Sequence, residues 1–256
     1  MSDFRWDAER YASLPLPHIL WGQRVIDAAR IPQNGKVLDL GCGTGRDAQT
    51  LLQQRPDLQI FAIDRSEEML AQFRSELGDA SMGITLLVGD LRAPLPHDLS
   101  ELDAVISVAT LHWIHDHAQV FRNLVPHLRP GASLTYECGG AGNIADMRRV
   151  LRSVLGDDYG EEPWYFARPQ DERSILESLG FEVHRCELRE DPTPSMEPRV
   201  FRECVRTLIL GPYLVAMADD VGQRFTDQVI DALASPHIDY VRLEVSATFR
   251  GQGAPQ

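Results

Sequence analysis

Val37-Leu38-Asp39-Leu40-Gly41-Cys42-Gly43-Thr44-Gly45 joins an apolar run to a turn in which every second residue is glycine. Val37, Leu38 and Leu40 predict a strand buried on both faces, as in a parallel sheet covered by helices. Gly41, Gly43 and Gly45 then bring bare backbone close to whatever lies at the strand's carboxyl end, where open α/β sheets take their ligands. The stretch therefore predicts a nucleotide-type pocket. Its spacing argues against two phosphate binders. A GxGxxG fingerprint needs glycine at 46, where Arg46 stands, and a P-loop needs lysine after its last glycine, whereas Lys36, the only lysine, precedes the strand.

A second apolar run, Ile60-Phe61-Ala62-Ile63, ends in Asp64. A strand-tip carboxylate about 20 residues past a glycine turn is placed to hold a ribose diol, since an ionised carboxylate only accepts. NAD would use the same residue, and an Asp here also serves as a helix N-cap, so Asp64 alone leaves the ligand open. Three further landmarks follow in order: Leu86-Leu87-Val88-Gly89-Asp90, Leu102-Asp103-Ala104-Val105-Ile106-Ser107, and Leu128-Arg129-Pro130-Gly131-Ala132-Ser133-Leu134. Short connections between alternating strands and helices predict a doubly wound parallel sheet.

Over residues 37 to 137 these motifs resemble those of the class I S-adenosylmethionine-dependent methyltransferases, whose cofactor carries no phosphate. The resemblance implies an α/β fold with a doubly wound, mostly parallel, seven-stranded Rossmann-like sheet and a helical cap. It implies S-adenosylmethionine as cofactor, held by Asp39, Gly41, Cys42 and Gly43 of the first turn, Asp64 and Arg65 after the second strand, Gly89, Asp90 and Leu91 after the third, and Ser107 after the fourth. In that family the residue at Asp90 accepts from the adenine amine.

Composition sets limits around this. With 256 residues and 43% hydrophobic content the chain can bury one full core with an appended cap. The expected organisation is a lid segment over 1–30, a cofactor-binding core over 31–190 and 236–256, and cap or substrate insertions over 139–170 and 191–235. A net charge of −13 without a basic stripe argues against nucleic acid as partner. Cys42, Cys138, Cys186 and Cys204 form no CxxC pair. No apolar stretch has membrane-spanning length, and Met1-Ser2-Asp3-Phe4-Arg5-Trp6-Asp7 lacks the order of a signal peptide. A cytoplasmic, bacterial-type protein is expected, monomer or homodimer, without a membrane partner.

Substrate choice is expected from segments outside the sheet. Leu20, Trp21, Val25, Ile26 and Ala29 recur at helical spacing, with Tyr11 and His18 flanking two prolines before them. Trp6-Asp7-Ala8-Glu9-Arg10-Tyr11 followed by Trp21-Gly22 is similar to the start of the trans-aconitate methyltransferase-related group, where this segment closes over the cofactor. Cys138-Gly139-Gly140-Ala141-Gly142 predicts a flexible turn, Ile144 to Leu155 a helix, and Trp164-Tyr165-Phe166 a loop whose aromatics cover something. Asp171 to Leu179 predicts a helix with Gly180 as C-cap, Phe181 to Leu188 a strand, Asp219 to Leu233 a helix and Tyr240 to Phe249 an edge strand. Phe201, Val205, Leu208 and Ile209 return at helical intervals, and the resemblance places this insertion as a cap that brings Phe201, Arg202 and Tyr213 towards substrate.

The chemistry is expected in Ser107-Val108-Ala109-Thr110-Leu111-His112-Trp113-Ile114-His115-Asp116-His117, which leaves the fourth strand beside the predicted cofactor. The family runs this loop along the methionine end of the cofactor, which makes His112 the candidate catalytic residue and Trp113 a substrate wall beside Tyr11, His18 and Trp21. His112 and His115 could share a helix face, but His117 would not join them, so no metal site is predicted. Asp116 reads as the N-cap of the following helix.

Methylation of a small-molecule carboxylate, such as that of trans-aconitate, needs no base, because the acid is ionised at neutral pH. A phenol, amine or carbon acceptor would use His112 as base. A non-catalytic S-adenosylmethionine-binding protein would use the same residues. A nicotinamide-dependent oxidoreductase is disfavoured by Arg46 and by the absence of any lysine beyond Lys36. A carboxylate pocket should show an arginine fork, for which Arg148, Arg149, Arg168 and Arg202 are the candidates.

Overall fold

The computed structural model describes residue 14 and residues 18–77 and 83–251. Seven strands form one sheet in the order β3-β2-β1-β4-β5-β7-β6. They are β1 Lys36–Leu40, β2 Gln59–Asp64, β3 Ile84–Val88, β4 Leu102–Val108, β5 Leu128–Gly139, β6 Phe181–Glu190 and β7 Val241–Phe249. Strands β1 to β5 pair in parallel, and β7 runs antiparallel to β5 and β6 on either side of it. This is the mostly parallel, doubly wound sheet that the strand-helix alternation predicts.

Alternation along the strands feeds two cores. Val37, Ile60, Ala62, Ala104 and Ile106 pack under α1 His18–Ala28, α2 Arg46–Gln54, α3 Glu67–Leu77 and α5 Ala145–Leu155. Leu38, Leu40, Ile63, Val105 and Leu134 pack under α4 His117–Leu124 and α6 Pro169–Ser178. The insertion between β6 and β7 is helical, with α7 Pro198–Cys204, a π turn Val205–Ile209, α8 Gly211–Leu214 and α9 Asp219–Asp231. Phe201, Cys204, Phe225 and Val229 bury against the first core.

Local chemistry sets the helix ends. Asp116 caps α4 by accepting from the Gln119 N–H at 2.9 Å. Pro169 begins α6, and Gly180, at φ +89°, lets the chain leave it.

Two expectations are corrected. β7 is not an edge strand: it lies between β5 and β6, and β6 is the edge. The glycines after β5 are packed, not loose. A Cβ on Gly139 would stand 2.7 Å from Phe166, and one on Gly140 2.5 Å from Leu188. Both are therefore small for close contact.

Candidate active site

The strand order reverses between β1 and β4, and the crevice outside their carboxyl ends is the main cleft. The glycine turn forms one wall. Gly41 and Cys42 N–H both donate to Ile63 O, at 2.8 and 3.1 Å, which ties the turn to the end of β2. Gly41 has φ +71°, and a Cβ there would stand 2.1 Å from Thr110, whose hydroxyl donates to Gly41 O at 3.0 Å. A Cβ on Gly43 would meet nothing within 4 Å, so this glycine leaves space for a ligand.

Two carboxyl groups line this wall and a third is buried behind it. Asp64 accepts from Gly43 N–H and from Ser66 N–H, both at 2.9 Å, and burial nonetheless raises its pKa. Asp39 is buried, its Oδ2 has no hydrogen-bond partner among the described residues, and burial with Asp47 and Asp64 nearby pushes it well above the carboxylate range. Asp47 is pushed up to about 6 by burial, with Arg46 offsetting part of the shift. The same burial and carboxyls hold the Cys42 thiol protonated. Repulsion of this kind is relieved by a cation.

The Asp47 shift makes stability depend on pH. An acid with a folded pKa above its unfolded value of 3.8 gains stability from its proton, so stability falls as pH rises from about 4 to about 6. Asp47→Asn removes that ionisation. In the ligand-free protein it is expected to raise Tm by about 2–6 °C at pH 8 and to change it little at pH 4, measured by thermal unfolding at both values.

On the far side of Asp64, Arg65, Gly89, Asp90, Leu91 and Arg92 line the cleft. Arg92 Nε donates to both Asp90 oxygens, at 2.9 and 3.0 Å, and holds its carboxyl below the usual range. Asp90 thus meets any ligand as an ionised acceptor. Ser107 is not a wall of the cleft: it is buried, and its hydroxyl donates to Leu40 O at 2.8 Å, clamping β4 to β1. Asp39 likewise stands behind the wall rather than in it.

The other half of the cleft is aromatic and apolar. Trp113, Trp164, Phe166, Leu208, Ile209, Pro212, Trp21 and Tyr240 enclose it. A buried clamp positions the turn that carries His112. His117 Nε2 donates to Leu111 O at 2.9 Å, its Nδ1 meets Glu172 at 2.8 Å, and Tyr136 OH donates to the same carboxylate. Tyr165 N–H donates to His112 O at 2.9 Å, which docks the aromatic loop on the same turn. His115 pairs with Glu162 O at 3.1 Å, so the three histidines face separate partners.

His112 lines the cleft but is 8% exposed. Gly139 N–H donates to its Nδ1 at 3.3 Å, and burial with the Arg242 charge nearby holds it well below 6.5. The ring is therefore neutral with its proton on Nε2, where it donates rather than accepts. Burial and the same Arg242 charge lower His18, which also lines the cleft.

Arg242 itself is absent from the sequence expectations. It is 1% exposed, stacks over Trp21 with Cζ 3.7 Å from the ring centroid, and lines the cleft. The fork candidates lie elsewhere. Arg148 pairs with Glu162 at 2.6 Å, Arg149 with Asp146 at 2.8 Å and Arg202 with Asp227 at 2.8 Å, and neither these nor Arg168 lines the cleft. Phe201 is core, and Tyr213 stacks on Tyr159 outside the cleft wall. Tyr11 lies outside the described residues. Thr110, Asn143, Tyr240 and Arg242 are cleft residues that the motifs did not single out.

Residues 37–131 match the family model described as a methyltransferase domain. The trans-aconitate 2-methyltransferase of Azoarcus sp. (strain BH72) is 26% identical over 252 residues, covering 93% of this chain and 94% of that protein. The trans-aconitate 2-methyltransferase of Mycolicibacterium gilvum (strain PYR-GCK) is 37% identical over 129 residues, covering 50% of this chain and 46% of its own. Among solved structures, the YcgJ protein from Bacillus subtilis superposes with TM-score 0.66 at 14% identity, covering 91% of this chain and 99% of its own. That likeness is one of fold.

Proposed function

From the premise that this chain is a methyltransferase of the class I fold, we propose that it moves a methyl group from S-adenosylmethionine to a carboxylate oxygen of a small acid. The polarity of the cleft carries this assignment. Asp47 and Asp64 line the cleft beside the glycine turn with Asp39 buried behind them, all three held above the carboxylate range chiefly by burial, and the buried cation Arg242 lines the cleft as well. A ligand positive at one end and an acceptor negative at the other fit that field. The name of the Azoarcus relative, an enzyme for a carboxylic acid, agrees with it.

The residues present fit the cofactor. Asp64 would hold the ribose diol, Asp90 the adenine amine, and the bare Gly43 gives room for close approach. Bound there, S-adenosylmethionine supplies a methyl group already activated on a sulfonium sulfur. The chain's part is alignment and exclusion of water, and positioning of this kind supplies several kcal/mol. Trp113, Trp164 and Phe166 wall off the acceptor. A carboxylate acceptor would already be ionised at neutral pH, so the chain would have no proton to move and would need no base.

His112 has the tautomer of a donor, which argues against a phenol, amine or carbon acceptor that would need it as base. Calorimetric titration with S-adenosylhomocysteine, with NAD as control, followed by methyl-transfer assays on carboxylic acids and phenols, tests the assignment. Micromolar S-adenosylhomocysteine binding, no NAD binding and turnover of acids alone are expected. Turnover of phenols alone would overturn the carboxylate acceptor, and failure to bind S-adenosylhomocysteine would overturn the cofactor.

The expected lid over 1–30 and caps over 139–170 and 191–235 enter here as part of the same proposal. In their described parts, α1 contributes His18 and Trp21 to the cleft, the second segment Trp164 and Phe166, and the third Leu208 and Ile209. No helix among the described residues is long and apolar enough to cross a membrane.

A further inference from the structure

Arg242 is a buried cation with an incomplete set of partners. Its Nε donates to Glu137 Oε1 at 3.2 Å and its Nη2 to Glu137 O at 3.4 Å, while its Nη1 donates to no acceptor among the described residues. Glu137 is shared. Arg24 holds the same carboxylate more closely, with Nη2 to Oε1 at 2.7 Å and Nε to Oε2 at 3.0 Å. One carboxylate thus serves two guanidinium groups, and the one with the longer contacts is the one that faces the cleft. A buried charge so weakly matched is costly unless something else completes it.

The surroundings say what completes it. Arg242 pairs across the β5–β7 ladder with Gly139, and Gly139 N–H orients the His112 ring by donating to its Nδ1. His112 Nε2–H is left without a protein partner among the described residues. Gly139 thus joins the cation and the neutral N–H donor, as ladder partner of the one and hydrogen-bond donor to the other, and both line the cleft, where the Arg242 charge acts on the His112 ring. Trp21 fixes the guanidinium plane from one side, and its own Nε1 is fixed by donating to Asp191 at 2.7 Å. A planar, pre-positioned fork beside a second donor suits a carboxylate.

Which carboxylate follows from the proposed reaction, on which this inference rests. The methylated carboxylate loses its negative charge in the transition state, so a buried cation against it would favour the ground state and slow transfer. A cation helps when it holds a carboxylate that keeps its charge. We propose that Arg242 and the Nε2–H of His112 form a seat for a second, unreacting carboxylate of the acceptor. Arg242 is thus a specificity residue, selecting acids with at least two carboxyl groups, and the seat fixes the far end of the acceptor while another of its carboxylates meets the methyl group.

The test is calorimetric titration of the protein, saturated with S-adenosylhomocysteine, with the tricarboxylate trans-aconitate and the monocarboxylate crotonate. The wild-type chain is expected to bind trans-aconitate at least tenfold more tightly than crotonate. Arg242→Gln is expected to weaken trans-aconitate roughly a hundredfold, leave crotonate unchanged and leave S-adenosylhomocysteine affinity within twofold, with Arg242→Lys intermediate. In turnover the loss falls on KM for trans-aconitate more than on kcat.

Should Arg242→Gln unfold, His112→Phe serves, since it removes one donor and leaves the Arg242–Glu137 pair in place. About a tenfold loss for trans-aconitate is then expected. Trans-aconitate affinity unchanged in a folded Arg242→Gln or, failing that, in His112→Phe overturns the seat while leaving the methyltransferase assignment standing, as does equal wild-type affinity for the two acids. Absence of methyl transfer to any carboxylic acid by the wild-type enzyme overturns the carboxylate acceptor and the seat with it.

Discussion

Gly43→Leu is expected to weaken S-adenosylhomocysteine binding roughly a thousandfold or more, about 4 kcal/mol, in a chain that still folds. Gly43 lines the cleft and a Cβ there meets nothing within 4 Å, so the new side chain finds room only where a ligand has to lie. Its φ of +54° adds about 1–2 kcal/mol of backbone strain, which a chain of this size withstands. Gly45 is the control within the same turn. A Cβ at Gly45 would stand 2.2 Å from the Phe73 ring, at φ +82°. Gly45→Ala is therefore expected to lower stability by about 2–5 kcal/mol, roughly 5–15 °C in Tm, through overpacking and strain. Calorimetry and thermal unfolding on both variants separate the effects. S-adenosylhomocysteine affinity unchanged in a folded Gly43→Leu would show that Gly43 does not face the ligand.

Asp64→Ala is expected to cost roughly a hundredfold in S-adenosylhomocysteine affinity, about 2.7 kcal/mol. Two losses combine. The ribose hydroxyls lose their charged acceptor, and the turn loses the carboxylate that holds Gly43 N–H and Ser66 N–H at 2.9 Å each. Asp64→Asn separates them, because its amide oxygen still accepts one backbone bond while the charge is gone. About a tenfold loss is expected for it. If Asp64→Ala titrates like the wild type, Asp64 has no part in holding the cofactor.

Legibility was highest where one local rule governs several residues. The turn at 41–45 was readable because glycine at alternate positions has few uses, and Asp64 because a carboxylate at a strand tip sits at the cleft by topology alone. Asp116 was readable as a cap because capping is local. Ser107 misled: it ends β4 beside the cleft, but its hydroxyl turns inward to Leu40 O. Phe201 and Arg202 misled because helical periodicity identifies a packed face without saying what it packs against, and here that is the first core and Asp227. His112 lines the cleft from the turn after β4, yet its tautomer depends on Gly139, 27 residues away.

The sequence by itself determined the parallel half of the sheet, the glycine turn and the carboxylates at the carboxyl ends of β1, β2 and β3. Each of these follows from neighbours in the chain: buried runs of the right length, turn residues, and acids at strand ends. The acceptor half of the cleft was decided only by the tertiary structure. Val241, Leu243, Val245 and Ala247 alternate with Arg242, Glu244, Ser246 and Thr248, which in sequence is the pattern of a strand with one wet face. Strand order inserts β7 between β5 and β6, and α1 lays Trp21 over Arg242, so the residue on the supposedly wet face is 1% exposed. Alternation reports which residues share a face. Only the packing of α1 on that face makes Arg242 a buried cation at the cleft.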